Sequence, residues 1–207
     1  MSTDKHLLTT VEQLEALYGK AHGPAVVKEI DHINDSYRKL IEAAPFVAIA
    51  TSGPEGLDCS PKGDPAGFVH VLDDKTVAIP DRPGNNRVDG FRNIVRDPRV
   101  ALLFLIPGVG ETLRVNGRAT ISIAPDLLQR FAINGKLPRS VMLVQVETVF
   151  FHCSKAIVRS KLWDEATKID RKSLPSTGTI IAELSRGELG GETYDRDAPE
   201  KIKAQLY

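Results

Sequence analysis

The chain has 207 residues, 42% of them hydrophobic and 26% charged, with 27 basic residues against 27 acidic ones. That length suits one globular domain with a core of its own, in no need of disulfide or metal staples. A formal charge of zero argues against a nucleic-acid binder, which shows a basic face, and no apolar stretch approaches the roughly 18–20 residues of a membrane span.

The N-terminus, "MSTDKHLLTTVEQLEALYGK", has no apolar signal core followed by a small-residue cleavage site, so a cytoplasmic protein is expected. Residues 9–20 and 29–43 read as helices. In the second, Ile30, Ile33, Tyr37, Leu40 and Ile41 recur at helical spacing and Pro45 closes the run. "PFVAIAT" is a short continuous apolar run, as in a buried strand. "SGPEG" is turn chemistry, and "LDCSPKGDPAG" reads as a short polar strand broken by Pro61 and Pro65. "FVHVL" and "TVAIP" flank "DDK" as a hairpin.

The loop "AIPDRPGNNR" (78–87) follows, with Pro80, Pro83, Gly84, two asparagines and two arginines. A helix is expected after it, with Val88, Phe91 and Ile94 or Val95 on one face, Asn85 or Asn86 as N-cap, and Asp97-Pro98 as its end. "RVALLFLI" is a core strand, and "PGVG" turns it into "ETLRVNGRATISI". There Leu113, Val115, Gly117, Ala119, Ile121 and Ile123 alternate with Thr112, Arg114, Asn116, Arg118, Thr120 and Ser122. This period of two predicts one strand with a core face and a polar face, and a bulge at Gly117 in preference to a hairpin at Asn116-Gly117. "PDLLQRFAING" reads as a short helix with Asn134-Gly135 as C-cap. "SVMLVQVETVFFHC" is a long strand, "SKAIVRSKLW" a turn of helix, and "TIIAELSRGELGG" and "PEKIKAQLY" are peripheral helices. Six or seven strands at hairpin-like spacings, with helices at the ends, predict an α+β, mainly β architecture: an antiparallel barrel with attached helices.

Several chemistries find no support in the residues. The five histidines form no HxxxH or HExxH spacing, and His152 and Cys153, adjacent in a strand, point to opposite faces, so no metal site is expected. Cys59 and Cys153 form no CxxC pair and read as small reduced core residues. There is no GxSxG elbow, no GxxxxGK[ST] loop and no GxGxxG loop. A phosphate would have to be held by side chains. Ser60 and Lys62 share one parity of a strand, and Arg82, Asn85, Asn86 and Arg87 add donors at the mouth of a helix, a credible anion cradle. The alternative is that Lys62, Arg82 and Arg87 are solvated charges paired with Asp58, Asp64, Asp81 and Asp89. Spacing does not choose between the two.

The string "SPKGDPAGFVHVLDDKTVAIPDRPGNNRVDGFRNIVRDPRVALLFLIPGVGETLRVNGRA", with the later "FHCSKAIVRSKLW", resembles the pyridoxamine 5'-phosphate oxidase-related, FMN-binding split-barrel family, in its branch of uncharacterised bacterial flavin-dependent members. The resemblance implies a six-stranded antiparallel split β-barrel with peripheral helices, and a homodimer holding two FMN molecules between its subunits. It implies three segments: an N-terminal helical extension (1–44), the FMN-binding barrel (45–163) and a C-terminal helical tail (164–207). Carried over by residue, it places Ser60 and Lys62 near the flavin ring and ribityl chain, with backbone contacts from Ile79 and Pro80. Asn85, Asn86 and Arg87 fall on the phosphate positions, and Arg82 belongs to the same loop. Thr112 and Arg114 match the segment that reaches the flavin bound mainly by the partner chain. Arg159, Ser160 and Trp163 resemble the C-terminal contacts. No catalytic side chain is singled out. The implied activity is hydride transfer between a small organic or nicotinamide donor and FMN. A non-catalytic flavin or haem carrier or sensor, or a deazaflavin-dependent reductase, is the alternative on the same fold. The tail "SRGELGGETYDRDAPEKIKAQLY" does not match the oxidase segment that grips the substrate phosphate, so vitamin B6 activity is less well supported than FMN binding.

Overall fold

The computed structural model describes residues 6–206; residues 1–5 and Tyr207, which the sequence reading assigns to the terminal extensions, lie outside it. Its centre is one antiparallel sheet of seven strands. These are β1 (Phe46–Gly53), β2 (Gly56–Gly63), β3 (His70–Val71), β4 (Thr76–Asp81), β5 (Arg99–Leu105), β6 (Thr112–Ser122) and β7 (Ser140–His152). The order across the sheet is β2-β1-β5-β6-β7-β4-β3. Strands β2 and β3 therefore lie at opposite edges, with β4 next to β3, yet side chains join β2 to β4. Lys62 of β2 meets Asp81 at the end of β4, and Arg82 just beyond β4 meets Asp64 just beyond β2. A sheet whose edges meet through side chains, with no hydrogen-bonded ladder between them, is a barrel left split. The expected fold is present, with the two-residue β3 as a seventh strand and no closure of the ladder.

The core follows from the alternation. Val47 and Ile49 of β1, Leu102 and Phe104 of β5, Leu113 and Val115 of β6, and Val144 and Val146 of β7 are all buried in one cluster. Helix α3 (Asp35–Ala43) adds Tyr37 and Ile41, and α4 (Asp89–Arg96) adds Ile94. Before them come α1 (Val11–Tyr18), which buries none of its residues, and the short α2 (Pro24–Val27). A smaller cluster sits where Leu127 of α5 (Pro125–Arg130) and Phe131 cover Ala78 and Val141. After β7 come α6 (Lys155–Ser160), two single 3-10 turns, and α7 (Thr177–Leu184) with α8 (Gly191–Gln205), which pack on each other.

The unbroken parity of β6 is matched by a register shift between Asn116 and Gly117. Asn116 faces Thr148 and Gly117 faces Val146, so the extra residue, Glu147, belongs to β7. The core face of β7 changes phase there, from Val144 and Val146 to Val149. Gly117 is fixed by close approach, since a Cβ on it would lie 2.1 Å from the carbonyl oxygen of Gln145.

Other expectations are corrected. The helix expected from residue 29 begins at Asp35, because the sheet captures Ile30: its N–H and carbonyl bond Val149 at 3.1 and 2.8 Å. Asn34 then caps α3 by accepting from the N–H of Tyr37. Strand β2 runs through Pro61 without a break, since an edge strand tolerates a missing N–H. Neither Asn85 nor Asn86 caps α4; its N-cap is Val88, which has no side-chain oxygen to offer. The C-cap of α5 is Phe131, while Asn134 and Gly135 make the left-handed turn of a small loop closed by Ile133 and Lys136. Both cysteines are exposed, not core residues: Cys59 takes the outward parity of β2, and Cys153 lies just past the end of β7. No described helix is long and apolar enough to cross a membrane.

Candidate functional site

Where the two edges of the split barrel meet, there is a cleft of about 260 Å3, with an adjoining hollow of about 510 Å3. Four segments build it. Strand β2 sends Asp58, Ser60 and Lys62 to one side by its period of two. The 82–88 loop forms the rim, the first turns of α4 supply Phe91 and Ile94, and Arg139 and Ser140 enter from the start of β7. The last pair arrives by register, because Ser140 stands opposite Asp81 across the β4–β7 ladder. With Ile49, the two α4 side chains give the cleft an apolar side facing a polar rim.

The charges here are mostly paired. Lys62 meets Asp81, and its ammonium also stands 5.2 Å from the centre of the Phe91 ring. Arg82 Nε donates to Asp64 at 3.0 Å and its Nη1 to the Phe131 carbonyl at 2.7 Å. This pair is deep, with side chains 17% and 2% exposed. Arg87 and Asp89 form a 2.8 Å pair in which the arginine is 80% exposed. Ser60 Oγ donates to Asp58 Oδ2 at 2.7 Å. The cations therefore have aspartate partners, and they also surround one cleft.

The two asparagines are oriented by their own bonds. Asn85 Oδ1 accepts from the backbone N–H of Arg87 at 3.0 Å, and Asn86 Oδ1 accepts from Arg139 Nη1 at 2.5 Å. With both oxygens engaged, the NH2 ends of the side chains are the ends left to a ligand. Asn86 takes a left-handed backbone, φ 60°, which asparagine accepts more readily than most residues. The first-turn N–H groups of α4 also receive no side-chain cap. The rim is thus rich in donors, the pattern that suits an anion.

Of the residues read from sequence, Ser60, Lys62, Arg82, Asn85, Asn86 and Arg87 line this cleft, and Pro80 lines the adjoining hollow. Ile79 is 1% exposed as a whole residue; it belongs to the core and lines neither space. Strand β3 pairs only with Val77 and Ala78, which leaves the other edge of Ile79–Pro80 without a strand beside it. Besides Ile79, five residues do not join the cleft. Thr112 and Arg114 lie on the face of β6 opposite the core-facing Leu113 and Val115, with the Arg114 guanidinium 5.3 Å from the Phe150 ring. Arg159 and Ser160 belong to α6, and Ser160 Oγ donates to the Ile157 carbonyl at 3.1 Å. Trp163 Nε1 donates to the Val109 carbonyl at 2.8 Å, fastening the segment after α6 to the β5–β6 turn. His152 lies on the Arg114 side. Burial, then the charges of Arg114 and Lys28, lower its pKa and favour the neutral ring. Its Nε2 is buried without a hydrogen-bond partner.

Sequence reasoning gave Asp58 and Asp81 only as charge partners and missed Thr51, Phe91 and Arg139 as cleft residues. Asp58 shares the parity of Ser60 and Lys62, so its position was available. Arg139 had no local signal, since it depends on the register of two strands sixty residues apart.

The pyridoxamine 5'-phosphate oxidase family model matches residues 33–153, a span that runs from the approach to α3 through the end of β7 and contains the whole cleft. No curated protein matches the chain. Among solved structures, HupZ of Group A Streptococcus is 21% identical, with 59% of this chain and 95% of that one covered at a TM-score of 0.48. General stress protein 26 of Bacillus anthracis is 14% identical, with 55% and 88% covered at a TM-score of 0.43. An F420 reductase is 20% identical, with 58% and 98% covered at a TM-score of 0.41. Because the family match covers more than half of the chain and takes in every strand of the split barrel, this protein belongs to the pyridoxamine 5'-phosphate oxidase family.

Proposed function

We propose that the chain is an FMN-dependent oxidoreductase that works as a homodimer, with the cofactor in the cleft between β2, the 82–88 loop and α4. The observation that carries this reading is the donor-rich rim. The Oδ1 atoms of Asn85 and Asn86 are engaged, which leaves their NH2 groups as donors, Arg87 is exposed beside them, and no side chain caps α4. A phosphate dianion needs several charge-assisted donors at once, and this rim supplies them. The apolar side made by Ile49, Phe91 and Ile94 suits the face of a flat ring system. Asp58, already accepting from Ser60, can accept from ligand hydroxyls as well. Bound FMN supplies the two-electron chemistry, and the chain's part is binding, orientation and electrostatics. Lys62 contributes a cation on the cleft wall, which favours a reduced, negatively charged ring. The electron donor is a small organic molecule or a reduced nicotinamide.

Titration with FMN tests the site. Arg87→Ala should weaken binding by about tenfold or more, the usual effect of losing a charged hydrogen bond. Arg96→Ala, at the far end of α4 and paired with Glu55 at 2.6 Å, should leave it within about twofold. Equal curves for the two variants would refute the assignment, as would wild-type protein that takes up no FMN. Anaerobic mixing with reduced nicotinamides and small organic donors should bleach the bound flavin; no bleaching with any donor would point to a carrier.

A further inference from the structure

Four cations line the cleft: Lys62, Arg82, Arg87 and Arg139. The first three each face a carboxylate, from Asp81, Asp64 and Asp89. Arg139 does not: among the described residues its guanidinium has one partner, the Asn86 side-chain oxygen at 2.5 Å. Counted with the hollow beside the cleft, cations and carboxylates balance, since Asp58, Asp64, Asp81 and Asp89 also line these two spaces. Net charge therefore says little about what binds, and the groups still open to a ligand decide it.

We propose that Arg139 is an anion-binding residue of this cleft, gripping the phosphate of the ligand together with the amide ends of Asn85 and Asn86. The inference rests on the flavin reading above and adds a residue to it. Three features support the role. A guanidinium carries five N–H donors in a planar fork, so one bond to Asn86 leaves most of them for a phosphate. That same bond engages the Asn86 oxygen and leaves the NH2 group as the free donor, so one side chain both donates and fixes a second donor. Lastly, an anion at Arg139 meets no carboxylate paired with the guanidinium, whereas at Arg87 it competes with Asp89. Arg139 thus adds a cation not offset by a paired carboxylate, with the exposed Arg87 beside the same rim.

The test compares FMN with riboflavin, which has the same ring and ribityl chain but no phosphate. Affinities are read from quenching of flavin fluorescence for wild type, Arg139→Ala and Arg139→Lys, with inorganic phosphate as competitor and thermal melting as a check on folding. Arg139→Ala should weaken FMN binding by about tenfold to a hundredfold. Riboflavin binding should stay within about twofold, because a group that touches only the phosphate does not act on a ligand lacking it. Arg139→Lys should fall between, keeping the charge and losing the fork. Inorganic phosphate should compete with FMN on wild type and compete less well on Arg139→Ala. Unchanged FMN affinity in Arg139→Ala would overturn the inference, and so would equal loss of FMN and riboflavin, the mark of a purely structural residue. Wild-type protein that bound neither flavin would remove the flavin reading itself, and the inference with it.

Discussion

Arg82 and Arg87 belong to one loop, and each is paired with an aspartate, yet burial gives them different work. The Asp64 carboxylate is 2% exposed, and Arg82 links it to the Phe131 carbonyl at the end of α5, so three chain segments meet on one guanidinium. The Arg87–Asp89 pair lies in solvent, with the arginine 80% exposed. Removing one member of a buried pair strands the other charge and costs about 3–5 kcal/mol, while an exposed pair contributes about 0–1 kcal/mol. Arg82→Met should therefore lower unfolding stability in urea by about 3–5 kcal/mol. Arg87→Ala should stay within about 1 kcal/mol while weakening FMN binding. Equal stability of the two variants would contradict this division. From sequence the two arginines look alike, both being cations in a loop beside prolines and asparagines. Only the ends of β2 and α5, brought to the same place by the fold, tell them apart.

At the scale of elements, the β6–β7 ribbon shows how a sequence signal can be right about one strand and silent about its neighbour. Alternation along β6 was legible, and so was the reason to choose a bulge over a hairpin at Gly117. The extra residue, Glu147, lies in β7, where the phase change from Val146 to Val149 marks it. This bulge brings the Gln145 carbonyl oxygen to 2.1 Å from where a Cβ on residue 117 would sit, and that atom is backbone in a paired strand. Gly117→Ala should cost about 2–3 kcal/mol by overpacking, read as a lower urea midpoint with an unchanged slope. Gly84→Ala is the matched control. It lies in the 82–88 loop with nothing within 4 Å of its would-be Cβ and no positive φ, and should change stability by less than about 1 kcal/mol. A harmless Gly117→Ala would mean that the ribbon relaxes around the bulge. The late start of α3 has a related cause. Helical spacing from Ile30 to Ile41 was real, but Ile30 gains two backbone bonds to Val149 by extending, and no local pattern announces a partner so far along the chain.

For the whole molecule, the residues that the family resemblance assigns to the flavin fall into two groups. Ser60, Lys62, Asn85, Asn86 and Arg87 surround the cleft, whereas Arg114 lies on the outer face of β6, turned away from the core. An outward side chain reaches a ligand held elsewhere only if another molecule brings that ligand to it. A homodimer is implied by the resemblance alone, since periodicity and spacing describe one chain and cannot say that its site is shared. A shared site makes a quantitative demand. If each cleft takes Arg87 from one subunit and Arg114 from the other, Arg87→Ala and Arg114→Ala each damage both clefts of a homodimer. A mixed dimer of the two variants concentrates both defects in one cleft and leaves the other intact. Random pairing puts about half of the dimers in the mixed class, so about a quarter of all clefts should regain wild-type FMN affinity. Co-expression with two different tags isolates the mixed species, which should bind one FMN tightly per dimer and the second weakly. A mixture that titrates as the average of its parents would show that each cleft is built from one chain. Normal FMN binding by Arg114→Ala alone would remove Arg114 from the site. Light scattering on the loaded protein supplies the last condition, because a monomer that still held FMN could not share a cleft at all.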